Sequence, residues 1–338
     1  MKILILPMGG IGNVLMFLPT LEKIHKEFPG AKIIVIADED PARYVWENMP
    51  HIELRIKKKL SLFSALSLRK ESFDLCFLPF LSGGIRKILF AKLAGCKKII
   101  SHQYFLFKKK RNFLLSSNLK EKKQHDVESN LELLKAIGIE IQDKDKMIRM
   151  PLPRKELLKA EKFFKDNGIK NRVVGIHPGS TPATAYKRWP VKNYLKIING
   201  LLGTKYTVLV FFGPGEEELI KNFPKKPRLF LISKKTLNET SALISQCNLF
   251  LSNDSGLMHM AVSQNVPTIG LFGPTIYWRT SPYGRSNITL KSNLSCMPCY
   301  NPYKFNLVEQ NCPKNLLCIK SISLKSVQAA IKEIEKRK

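Results

Sequence analysis

The chain has 338 residues, 44% of them hydrophobic; the length suits two domains and the apolar content fills two cores. Its 56 Lys and Arg against 27 Asp and Glu give +29, a charge that calls for an anionic partner, either nucleic acid or an acidic membrane surface. No run reaches the roughly 18–20 apolar residues of a membrane span, and no nucleic-acid motif or aromatic-interleaved basic strip is present, so no nucleic-acid partner is expected.

At the start, Lys2 precedes an apolar run that Gly9, Gly10, Gly12 and Pro19 interrupt, without a small-residue cleavage site. A strand from Lys2 to Leu6, a Gly-Gly-Ile-Gly turn and a helix from about Asn13 fit better than a leader peptide. Further strands are expected near 32–37, 74–79 and 97–101, with helices between them, hence a parallel sheet. Residues 60–68, LSLFSALSL, read as a helix packed on the core, although they are apolar enough to touch lipid. From Leu54 to Lys123 there are 18 basic and 3 acidic residues, about half of the net charge, densest at Lys57-Lys58-Lys59 and Lys108-Lys109-Lys110-Arg111. A helix over 124–137 closes this domain, 1–150. Pro151 and Pro153 mark a linker, because paired prolines resist helix and strand.

The second domain, 154–322, repeats the alternation. Val173–Ile176 is a strand; His177-Pro178-Gly179-Ser180-Thr181 is a polar loop at its carboxyl end, followed by Lys187 and a helix over Val191–Leu202. TVLVFFGPGEEEL at 207–219 reads as strand, glycine turn and acid-opened helix. Leu249–Leu251 is a strand that stops at Ser252-Asn253-Asp254-Ser255-Gly256, before a helix and a further strand in VPTIGLFG. That helix start offers unpaired N–H groups and the positive end of the macrodipole. Gly256 admits ligand oxygens close to the backbone and Ser255 adds a hydroxyl, so a diphosphate fits there; an ordinary capped helix is the simpler account. Three glycine-rich strand ends in one half-chain match a nucleotide-sugar, because ligands of open α/β sheets sit at carboxyl ends.

Cys76, Cys96 and Cys247 fall in apolar segments and read as buried thiols. Cys296-x2-Cys299-x12-Cys312-x5-Cys318 is compatible with a tetrahedral zinc or iron site, or with neighbouring reduced thiols. SLKSVQAAIKEIEKRK at 323–338 is an amphipathic helix.

MKILILPMGGIGNVLMFLPTLEKIHKEFPGAKI, GIHPGS with KRWP, FFGPGEEE, SNDSGLMHMA and VPTIGLFGPT together resemble glycosyltransferase family 9, the bacterial heptosyltransferases that build the lipopolysaccharide inner core. The resemblance spans nearly the whole chain. It implies an α/β GT-B fold, two Rossmann-like doubly wound domains facing across a cleft, with the acceptor on the first domain, the donor in the second and the last helix returning to the first. It implies inverting transfer from a nucleotide-sugar, usually ADP-heptose, with no metal required for catalysis; relatives that heptosylate proteins carry an iron on four cysteines. The enzyme would be cytoplasmic, free or peripheral on the inner face of the cytoplasmic membrane, with a lipid-linked or core oligosaccharide acceptor and an anionic leaflet as partners.

Carried onto this chain, the motifs place Ser180, Thr181, Lys187, Ser255 and Gly256 on the diphosphate, Glu216 on the ribose, Asp254 on the sugar or its loop, and His259 one turn beyond Ser255. The segment Ser233–Leu237 would frame the base. Where the family has an Asp thought to be the general base, this chain has Asn13, which accepts no proton near neutral pH. Asn13 would therefore position the acceptor, with Asp38, Glu39 or Asp40 as the replacement base; capping of the next helix is the simpler role for these acids. A nucleotide-sugar-binding relative with weakened catalysis is the alternative, and a basic nucleic-acid-binding protein a remoter one.

Overall fold

The computed structural model describes residues 1–57, 60–103, 114–117, 119–300 and 312–337. Lys58, Lys59 and the Lys108–Arg111 cluster lie outside them. Two units are present, Met1–Pro151 and Leu152–Lys338.

The first unit runs β1 (Lys2–Ile5), α1 (Ile11–Glu27), β2 (Lys32–Ala37), α2 (Arg43–Glu47), β3 (Ile52–Ile56), α3 (Leu62–Leu68), β4 (Leu75–Phe77), α4 (Ile85–Leu93), β5 (Lys98–Ile100), the two-residue strands β6 (His102–Gln103) and β7 (Leu119–Lys120), and α5 (Asp126–Lys135). Its main sheet is parallel, in the order β3-β2-β1-β4-β5. The central strands are buried on both faces, and their sequences accordingly read as unbroken apolar runs. Between β1 and α1 the chain turns at Gly10 with φ 94°, a conformation that strains any residue bearing a Cβ. One core joins α3 and α4 to the sheet, through Ala65, Leu68, Ile88, Ala91, Leu4 and Ile34.

The second unit runs α6 (Arg154–Asp166), β8 (Val173–His177), α7 (Val191–Leu202), β9 (Thr207–Phe211), α8 (Glu217–Ile220), β10 (Leu229–Ile232), α9 (Leu237–Ser245), β11 (Leu249–Asn253), α10 (Gly256–Ser263), β12 (Thr268–Phe272), α11 (Tyr277–Thr280), β13 (Ile288–Lys291), α12 (Leu317–Lys320) and α13 (Leu324–Lys336). Its sheet is parallel in the order β10-β9-β8-β11-β12-β13. Both units are thus Rossmann-like and doubly wound. Strand order reverses between β1 and β4 in one and between β8 and β11 in the other, and such reversals open ligand crevices at the carboxyl edge.

The last helix packs within the second unit. Val327, Ala330, Ile331 and Ile334 of α13 lie in the core of the second unit, with Ile198 of α7 and Ile319. An apolar stripe at helical spacing needs a covering surface, and α7 and β13 already supply one.

Candidate functional site

In the second unit the reversal is closed by one side chain. Asn253, at the end of β11, is fully buried. Its amide oxygen accepts from the Trp189 N–H at 3.0 Å and the Tyr194 hydroxyl at 2.8 Å. Its amide nitrogen donates to the Pro178 and Gly179 carbonyls at 2.8 and 3.1 Å. Every hydrogen-bonding position of the amide is used, so the loop after β8 is pinned to the end of β11.

His177 ends β8, and its ring joins the three strand ends. Nδ1 lies 2.9 Å from Ser255 Oγ, and Nε2 lies 3.2 Å from Glu216 Oε2. Glu216 also accepts from the Gly213 N–H at 2.8 Å. Burial works to raise the Glu216 pKa, but the His177 hydrogen bond and charge, the Gly213 N–H and the Arg188 charge outweigh it and hold the carboxyl below its usual range. The carboxylate occupies the space where a Cβ on residue 179 would stand, 2.2 Å from that point, which explains Gly179.

Ser255 is the N-cap residue of α10 but makes no side-chain cap. Its hydroxyl is engaged with His177 and with Ser252 Oγ at 3.0 Å. The first turn of α10, opening at Gly256, therefore keeps its backbone donors for another acceptor. Beside it Lys187 Nζ pairs with Asp254 Oδ2 at 2.9 Å. Ser180 is 3% exposed; its hydroxyl donates to the Thr184 carbonyl at 2.8 Å and accepts from Arg188 Nε at 3.2 Å, so it shapes the loop. Thr181 is exposed, its hydroxyl 2.9 Å from that of Thr184. His259 is buried one turn into α10. Ser233–Leu237 leaves β10 at the same edge and enters α9 through its Thr236 cap.

In the first unit the glycine turn gathers part of the expected set. Asp40 Oδ2 accepts from the Gly10 N–H at 3.0 Å and Oδ1 from the Ala42 N–H at 2.9 Å. Asn13 Nδ2 donates to the Gly9 carbonyl at 2.8 Å. Asp38 and Glu39 are exposed, and Glu39 lies 3.7 Å from Arg43. Sequence reasoning passed over Lys87, on α4. Its ammonium donates to the Pro7 carbonyl and, at 3.0 Å, to Ser82 Oγ; Ser82 in turn donates to the Leu6 carbonyl. Lys87 thereby bridges the β1–β4 reversal. Burial lowers its pKa, opposed by the charge of Asp38. A lysine three residues after a glycine pair that follows a strand was the available signal.

The sequence model of glycosyltransferase family 9 (heptosyltransferase) matches residues 65–306. The chain belongs to this family. It is a glycosyltransferase and is 29% identical, over 99% of each chain, to lipooligosaccharide heptosyltransferase 2 of Campylobacter jejuni serotype O:2. Among solved structures it resembles the ADP-heptose lipopolysaccharide heptosyltransferase II of Escherichia coli, with a TM-score of 0.75 and 20% identity over 99% of this chain and 98% of that one. It also resembles the E. coli heptosyltransferase WaaC with ADP, with a TM-score of 0.70 and 16% identity over 99% and 98%. These likenesses give the GT-B fold.

The cysteines of this family 9 chain divide in two. Cys76, Cys96 and Cys247 are buried, and burial pushes the Cys76 and Cys247 thiols up. Cys296 and Cys299 are exposed, Cys312 is half-buried and Cys318 buried. Burial raises the Cys299 thiol, and pushes Cys318 up to about 11, with the neighbouring cysteines adding in the same direction. Cys312 Sγ accepts from the Leu316 N–H at 3.3 Å. Among the described residues no three His, Cys, Asp or Glu side chains gather closely enough to hold a metal.

Proposed function

We propose that the chain transfers a heptose from ADP-heptose to a lipopolysaccharide- or lipooligosaccharide-core acceptor, inverting the anomeric carbon and requiring no metal for catalysis. The observation that carries this is the three-strand cluster of His177, Glu216 and Ser255 beside the Lys187–Asp254 pair, at the strand reversal of a family 9 chain. The names of the Campylobacter and E. coli relatives support the sugar and the acceptor, and the ADP-bound E. coli structure supports the base.

In this reading the second unit holds the donor. The first turn of α10 and the Lys187 ammonium meet the diphosphate and take up the charge that grows on it as the glycosidic bond breaks. Thr181 adds a hydroxyl. Glu216, fixed by His177 and Gly213, receives the ribose hydroxyls, and Asp254, released from Lys187, turns to the sugar. The first unit holds the acceptor, whose hydroxyl attacks the face opposite the leaving diphosphate. Asn13 orients that hydroxyl. Both Asp40 oxygens already serve backbone N–H groups, so the base is assigned to Asp38, on the same edge and within the field of Lys87. The acceptor is lipid-linked and the enzyme works at the inner membrane face.

The test is mass spectrometry of products from ADP-heptose with a core acceptor, and of the surface glycan of a deletion strain. The deletion glycan should lack one heptose; an unaltered glycan sinks the assignment. Asn13 favours one other reading, a donor-binding relative with weakened catalysis. Labelled donor that binds without acceptor-dependent turnover would support it.

A further inference from the structure

α3 is turned the wrong way for a core helix. Its inward positions are Ala65 and Leu68, while Leu62, Phe63 and Leu66 point out with 61%, 83% and 45% of their surface exposed. Fraying does not explain this, since Ser61 and Ser64 form a reciprocal capping box at its start. α4 packs beside α3 and adds Leu89 and Leu93, at 47% and 39% exposure. Five of the large apolar side chains that this molecule leaves in water therefore stand on two neighbouring helices. Exposed apolar area is expected singly on a soluble protein, and a contiguous patch marks a docking surface.

The rim of this patch is basic. Arg86 and Lys92 flank the leucines on α4, Arg69 and Lys70 follow α3, and all four are exposed. From Lys57 to Lys98 the sequence holds two acids, Glu71 and Asp74. Both are engaged: Glu71 with Arg55 and Lys2 at 2.9 and 3.0 Å, Asp74 with Lys97 at 2.7 Å.

We propose that the outer face of α3 and α4 docks on an anionic lipid leaflet, with Leu62, Phe63 and Leu66 entering the headgroup–acyl boundary and the basic rim meeting lipid phosphates. Apolar insertion and cationic attraction act together in such surfaces. A second copy of the chain is a worse occupant, because it would set Arg69, Lys70, Arg86 and Lys92 against themselves. The surface also suits the chemistry. α4 carries Leu89 and Leu93 on its outside and Lys87 at the strand reversal, so one short helix links the leaflet to the edge assigned to the acceptor. The purpose of the surface rests on the lipid-linked acceptor proposed above; its test does not, because the vesicles contain no acceptor.

The experiment is sedimentation of the full chain with phosphatidylcholine vesicles, with and without about one-third phosphatidylglycerol. Wild type should bind the anionic vesicles and leave the neutral ones. Phe63→Ser with Leu66→Ser should bind at least about tenfold more weakly, with an unchanged melting temperature and unchanged turnover of a short, soluble acceptor. In a second arm, the emission of the Phe63→Trp variant should shift to the blue on anionic vesicles. Undiminished binding by the double variant overturns the proposal, as does an indole emission in Phe63→Trp that vesicles do not move. Self-association that the double variant abolishes, seen by sedimentation velocity, overturns it in favour of a dimer face. Loss of glycosyl transfer with vesicle binding intact would count against the proposed activity and leave this surface standing.

Discussion

Lys187 and Asp254 meet at 2.9 Å across the strand reversal of the second unit, one from the loop after β8 and the other just beyond β11. The ammonium assigned to the diphosphate is thus held in place by a carboxylate before any donor arrives. Lys187→Ala should weaken ADP binding by about 1.5–3 kcal/mol, the worth of a charge-assisted hydrogen bond in a partly buried site. Asp254→Ala should lower kcat more than it lowers the melting temperature. Calorimetry that finds unchanged ADP affinity in Lys187→Ala would show that the diphosphate lies elsewhere.

The Glu216 carboxylate fills the space beside Gly179. Gly179→Ala forces it away from His177 and the Gly213 N–H, so the variant should lose about 1–3 kcal/mol of stability and bind ADP less well. A wild-type melting curve with wild-type affinity would mean that Glu216 is not where the site needs it.

The base assignment separates two acids and an amide. Asp38→Ala should lower kcat by about 10²-fold or more and Asn13→Ala by about tenfold. Asp40→Ala should mainly lower stability, because two backbone N–H groups lose their acceptor. If Asn13→Asp raises kcat sharply while Asp38→Ala does nothing, catalysis in this chain is weakened and no other carboxylate has taken over.

His51 stacks on His25, ring centroids 4.1 Å apart. Burial, and then the His25 charge, lower its pKa from 6.5 to about 4. The folded chain keeps His51 neutral where the unfolded chain protonates it, so its contribution is fully present above about pH 6.5 and is lost as pH falls towards about 4. The loss should be on the order of 2 kcal/mol, after allowance for solvent screening of a partly exposed ring. His51→Gln should flatten that part of the stability profile, and the His51 ring should titrate by NMR near pH 4; a midpoint near 6.5 refutes the assignment.

The cysteine set is tested by elemental analysis of protein purified without added metal. If the four are neighbouring reduced thiols, no stoichiometric zinc or iron is found and Cys299→Ser keeps the wild-type melting temperature. One ion per chain, released by Cys299→Ser or Cys312→Ser, would overturn the packed-thiol account.

The parts of the fold that were legible in the sequence are its doubly buried strands. β1, β8, β11 and β12 stand out because parallel strands covered on both faces are continuous apolar runs. β3, β10 and β13 escaped notice. They are edge strands of the two sheets, only half-buried, and IELRI or ITLK carries no such run. The motifs marked the polar strand ends but not their partners. Nothing in NDSG tells that Asn253 faces Trp189 and Tyr194, or that His177 reaches Glu216, since these pairings span 39 to 64 residues and depend on strand order. For α3 the sequence left core packing and lipid contact both open, because apolar composition does not tell which face is covered until the facing surface is known.

Asn253 has a further consequence. A side chain whose donors and acceptors are all committed to scaffold groups cannot rearrange for a ligand, so the floor of the proposed donor site is preorganised and its ordering is completed during folding. In that proposal adaptation comes from the walls, where Thr181 and Lys187 would exchange the internal partners Thr184 and Asp254 for ligand atoms. Tolerance among related nucleotide-sugars should therefore track substitutions at these two positions, whereas changes at Asn253 should act on all donors alike.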